Sequence, residues 1–168
     1  MTTKIYNQFA LHDFEQAKHK AFWRDLFSWL TRKCNDLPSF DQVRQGLPMK
    51  RQHSLGLQIV PLEKIVGSEG RSRDFDQAFL PRHSHLQKRW ISIYKAYYEQ
   101  ATLPPVDLVK LGEVYFVRDG HHRVSVARVW GQDFIDANVI EVDVPMLVER
   151  YKKCQSNFCG SELCPTGC

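Results

Sequence analysis

Between Val114 and Ala127 the chain reads Val114-Tyr115-Phe116-Val117-Arg118-Asp119-Gly120-His121-His122-Arg123-Val124-Ser125-Val126-Ala127, the most informative stretch of the sequence. β-Branched and aromatic residues deliver a strand into Asp119-Gly120, and a helix starts at once at His121. The first turn of a helix carries unsatisfied N–H groups and a partial positive charge, so an anion such as phosphate fits there. His121, His122 and Arg123 add donors at the same place, and arginine grips phosphate oxygens in a two-pronged fork. Asp119 beside them can hold Mg2+ or accept a proton. A plainer reading stands beside this one: Asp119 as a helix N-cap, Gly120 as the turn, and Arg123 as partner to a core carboxylate. The residues alone leave both open.

The surrounding pattern predicts alternating helices and strands. A helix is expected over 13–33, opened by a capping box of Asp13 and Gln16. Phe14, Ala17, Ala21, Phe22, Leu26, Phe27 and Leu30 recur on it at three- and four-residue steps. Trp23, Trp29 and Phe27 read as core, with a partner groove or dimer as their functional alternative. A shorter helix follows over 39–46, then a strand over 57–60 ended by Pro61, then a loop over 67–70. The next helix, over 85–100, carries Leu86, Trp90, Ile93, Tyr94 and Tyr97 on one face. Leu103-Pro104-Pro105 forces extended chain. Period-two patterns over 106–110 and 114–118, with Gly112 between them, predict a hairpin. The helix after Gly120 stops at Gly131, a strand follows over 138–142, and a short amphipathic helix is expected over 145–151. The class is α+β, with a helical extension over 1–52, a central domain over 53–144 and a short tail over 145–168.

The 168 residues are enough to bury a core without disulfides or metal. With 43% hydrophobic and 25% charged residues, the composition is that of a globular protein. A formal net charge of +4 permits long-range attraction to nucleic acid without demanding it. Lys50 and Arg51, with Arg71, Arg73 and Lys88, are the candidate DNA contacts. The sequence shows no leader-like run and no apolar stretch of membrane-spanning length, which leads to the expectation of a cytoplasmic protein. Cys154, Cys159, Cys164 and Cys168 crowd the C-terminus. Thiolates bind zinc, but the tight Cys-x-x-Cys knuckles of zinc sites are missing, so Zn2+ is the lesser reading there.

Over about ninety residues the chain resembles the ParB/sulfiredoxin superfamily. The resemblance runs from Ile59-Val60-Pro61-Leu62-Glu63-Lys64-Ile65-Val66 through Leu103-Pro104-Pro105-Val106 to the Asp119–Arg123 loop. It implies a small mixed sheet with a strand–glycine turn–helix phosphate loop. It further implies a nucleotide ligand (CTP, ATP or ADP) bound with Mg2+ through Gly120, His121, His122, Arg123 and Arg71. Sulfiredoxins place a nucleophilic cysteine where this chain has His121, which argues against their chemistry. The loop is most similar to that of the free-serine kinases of the superfamily, whose acidic base maps by loop position onto Glu69. Phosphoryl transfer or hydrolysis served by Asp119, His122 and Glu69 is therefore the leading expectation. The alternative is a non-catalytic ParB-like module that binds DNA or a protein partner, with a homodimer as a further expectation. The helix-turn-helix domain of the partition proteins is not expected in the residues after Val144, so ParB-style operator binding is not the leading expectation.

Overall fold

A computed structural model describes residues 2–44 and 51–143, with side chains described from Tyr6 onward. Helix α1 (Thr2–Thr31) is followed by a short α2 (Phe40–Arg44). Strand β1 (Gln52–Pro61) passes through a single 3-10 turn into β2 (Ile65–Ser68). Helix α3 (Gln87–Tyr98), the hairpin β3 (Val106–Leu111) and β4 (Val114–Asp119), helix α4 (His121–Val129) and β5 (Phe134–Val142) complete the order. The expected α+β class and small mixed sheet are observed. The five strands lie in the order β1-β5-β3-β4-β2. β1 runs antiparallel to β5 and β3 antiparallel to β4, whereas β5–β3 and β4–β2 are parallel.

The period-two alternation of the strands supplies both faces of the sheet with apolar residues. Val106, Leu108, Tyr115, Val117, Ile135, Ala137 and Val139 join Phe14 of α1, Trp90 of α3 and Val124 of α4 in the main core. Val109, Leu111, Phe116 and Val142 point the other way and form a smaller cluster with Phe40 of α2. The helical segment before the sheet thus shares its core. Trp90 is fully buried and its indole N–H donates to Ser125 Oγ at 3.0 Å, which satisfies both polar atoms.

Several sequence expectations are corrected. Helix α1 begins at Thr2, and its buried stripe Ala10, Phe14, Ala17, Ala21 extends upstream of residue 13. Asp13 is therefore mid-helix and accepts a hydrogen bond from the Tyr94 hydroxyl at 2.6 Å. Burial and that carboxylate push the tyrosine up to about 12. Phe22, Trp23, Leu26, Phe27, Trp29 and Leu30 are exposed, not core. Gly67 and Ser68 belong to strand β2, not to a loop. A Cβ at Gly67 would stand 2.5 Å from the Phe116 ring, so only glycine lets this edge strand lie so close. β1 and β5 are longer than their apolar runs suggest, because they pair with each other along nearly their whole length. The helix expected over 145–151 lies outside the described residues.

Candidate functional site

The predicted strand–turn–helix forms as expected, and Gly120 is its pivot. Its φ of 95° lies in the left-handed region that favours glycine. A Cβ there would meet Val106 Cγ1 at 2.6 Å. Asp119 ends β4 and His121 begins α4, so the first helical turn, whose N–H groups have no partner within the helix, starts directly at the loop.

The loop is clamped by Arg123. One guanidinium nitrogen donates to the carbonyls of Pro104 and Pro105, and the other donates to Asp119 Oδ2 at 2.7 Å. The side chain is only 11% exposed, while Asp119 is 71% exposed. Arg123 thus ties the extended diproline chain to the glycine turn, and its first task is to hold the loop.

The two histidines are placed differently. His121 is buried, stacks on Phe75 and shares a 2.7 Å hydrogen bond with Ser68 Oγ. Ser68 also accepts from the Arg71 N–H at 3.1 Å, which carries the segment after β2 over the loop. His122 sets its ring edge-on to Phe75, and its buried Nδ1 has no hydrogen-bond partner. Burial, with the Arg71 charge next in importance, lowers both rings to about 4; Arg89 and His85 lower His122 further. Both imidazoles are neutral at pH 7.

These groups line a pocket of about 410 Å3, formed by Arg71, His85, Leu86, Arg89, Ile93 and residues 119–123. Such a volume is in the range of small-molecule sites. Asp119 is the only carboxylate among the lining residues; Asp74 stands behind, paired with Arg71 at 3.3 Å and 3.9 Å from the His85 ring. Arg89 and His85 were missed by the sequence reading. A signal was present for Arg89, which stands one turn before Ile93 on α3, beside the apolar stripe.

Other predicted residues lie elsewhere. Glu69 is paired with Arg118, Oε2 to Nε at 2.5 Å, and does not line the pocket. Arg73 and Lys88 are exposed and also outside the lining. Arg51 precedes β1 at the end of the sheet marked by the Gln52–Val142 pair, opposite the end where Asp107 pairs with Asp119. Arg51 is thus at the end of the sheet away from the glycine turn. Lys50 and Cys154, Cys159, Cys164 and Cys168 lie outside the described residues. Among the described residues no three His, Cys, Asp or Glu side chains come together as a metal site. No helix among them is long and apolar enough to cross a membrane.

No protein-family model matches the chain, and no curated protein sequence matches it. Among solved structures, the crystal structure of sulfiredoxin from Arabidopsis thaliana is similar at a TM-score of 0.38 and 20% identity. That likeness covers 49% of this chain and 82% of that one.

Proposed function

We propose that the pocket at the start of α4 binds the phosphates of a nucleoside di- or triphosphate. The observation that carries this reading is the convergence of Arg71, Arg89 and the first turn of α4 on one pocket. Two guanidinium groups and a row of N–H groups suit an oxyanion with several acceptor oxygens. The diproline clamp leaves Arg123 to shape the loop, with Arg71 and Arg89 as the principal phosphate contacts. His121 completes the wall, and His122 contributes a neutral ring whose Nδ1 still lacks a partner.

Mg2+ fits this site in a limited way. Asp119 is a single carboxylate already paired with Arg123, so the ion would be carried mainly by the phosphates, as Mg2+ commonly is. When bound it would neutralise charge on the phosphoryl oxygens. In the hydrolytic or phosphoryl-transfer reading, Arg71 and Arg89 stabilise that charge and His122 or Asp119 receives a proton. Glu69 takes part as a base only if its pairing with Arg118 is released.

Titration calorimetry of CTP, ATP and ADP with Mg2+, on wild type, Arg71→Ala and Arg89→Ala, tests the reading. One nucleotide should bind, and each substitution should weaken it about tenfold or more, as expected for a charged hydrogen bond. Product analysis then separates hydrolysis from transfer to an acceptor. If wild type binds none of the three more tightly than millimolar, the pocket is not a nucleotide site. A salt-sensitive affinity for DNA would then favour the binding-module alternative.

A further inference from the structure

Helix α1 buries three alanines and Phe14 and turns most of its large apolar residues outward. Ala10, Phe14, Ala17 and Ala21 are buried against the domain. At about 100° per residue, Phe22, Trp23, Leu26, Phe27, Trp29 and Leu30 fill an unbroken arc of roughly 160° on the far side. Their exposures are 60, 46, 39, 62, 77 and 71%. No charged residue interrupts the arc.

The helix cannot roll to hide this face. Arg24 donates to the fully buried Asp76 at 2.7 Å and to Asn35 at 3.1 Å. Asp25 accepts from Arg82 at 2.7 Å, and Arg82 also holds Asp36. These ties fix the rotation of α1 and keep the aromatic arc pointing away from the domain.

We propose that this arc is the interface between two copies of the chain, packed α1 against α1 about a twofold axis. Six side chains of this size at these exposures offer on the order of 800 Å2 per copy, about what each partner contributes to a standard stable interface. Enrichment in tryptophan and phenylalanine with no charge at the centre is the composition of an interface core. A twofold contact requires a surface complementary to itself, and an uncharged apolar arc meets that condition without opposing like charges. Monomers seldom leave a contiguous apolar patch of this extent in water.

Sedimentation equilibrium of the full chain, from low to high micromolar, tests the proposal on wild type, Trp29→Glu and Phe27→Lys. Wild type should be a dimer, with tryptophan emission moving to the blue as concentration rises. Each substitution should weaken the dimer by on the order of a hundredfold, with circular dichroism unchanged because both positions are exposed. A wild type that stays monomeric throughout overturns the proposal. So does a dimer that neither substitution affects, which would place the contact elsewhere. A monomer that floats with phosphatidylglycerol vesicles through the same residues also overturns it, and assigns the face to a lipid surface.

Discussion

Ser68 and His121 are separated by 53 positions in the chain yet stand 2.7 Å apart, joining the end of β2 to the first residue of α4. Both are buried, and Ser68 Oγ also accepts the Arg71 N–H. The hydroxyl thus couples the segment carrying Arg71 to the loop carrying His121. Ser68→Ala should leave the buried His121 ring nitrogen unsatisfied and the Arg71 N–H without this partner, and cost about 2 kcal/mol. Urea unfolding measures that loss. If the pocket binds phosphate, nucleotide affinity should fall with it, because Arg71 loses its anchor.

The depressed histidines set a pH dependence. Burial first, then the Arg71 charge, hold the folded His121 near 4, against about 6.5 in an unfolded chain. As pH falls the unfolded chain takes up the proton first. The stabilising contribution is therefore complete above about 6.5 and declines as pH falls to about 4, by up to roughly 3 kcal/mol. Urea midpoints at neutral and acid pH should show the decline, and His121→Gln should remove about half of it, because His122 is depressed to the same degree. A midpoint equally pH-dependent in the variant would place the titrating group elsewhere.

The turn itself gives a third expectation. Gly120 combines a positive φ with a wall at Val106, so Gly120→Ala meets backbone strain and a steric clash together. A loss of about 2 kcal/mol is expected, read as a lower thermal midpoint. An alanine variant as stable as wild type would mean that the loop can adopt another course.

How much of this was legible depends on whether the cause was local. The turn at Gly120 and the hairpin before it are written in adjacent residues, since strand alternation, a glycine and a helix start need no distant partner. Arg89 entered the site through the packing of α3 over α4, a tertiary fact that its own neighbours only hint at. Helix α1 misled for a related reason. Its apolar period was plain, but the period shows that a face exists and not which face is covered. Ala10, Ala17 and Ala21 permit close approach to the domain beside Phe14, and the large side chains from Phe22 to Leu30 were left outside. Strand β2 was hidden because Gly67 and Ser68 have poor strand propensity, which pairing with β4 overrides.

Asp76 holds the segment between β2 and α3 in shape. It is fully buried; Oδ1 accepts the N–H groups of Ala78 and Leu80 at 2.9 and 2.8 Å, and Oδ2 accepts from Arg24. The two N–H bonds brace Phe79, whose φ of 59° is unfavourable for a bulky residue. Asp76→Ala should cost about 3 kcal/mol through the lost hydrogen bonds, with relief of the strain at Phe79 offsetting only part of that loss. Because Phe75 backs both histidines, the effect should spread to the pocket. Proteolysis within 69–83 should accelerate in the variant. Unchanged cleavage would mean that the segment is held by its aromatic packing alone.

Two arginines on the pocket wall should separate cleanly in their effects. Arg123 donates to Pro104, Pro105 and Asp119, so Arg123→Ala leaves backbone carbonyls without donors and frees the loop. Its thermal midpoint should fall, by the equivalent of about 2 kcal/mol. Arg89 lines the same pocket from α3 and is exposed. Arg89→Ala should leave the midpoint nearly unchanged, since surface substitutions usually stay within about 0.5 kcal/mol. If the pocket holds phosphate, Arg89→Ala loses affinity without losing stability, while Arg123→Ala loses both. Thermal melts with and without nucleotide measure the two effects in one experiment. Equal stability losses in both variants would show that Arg89, too, serves the fold.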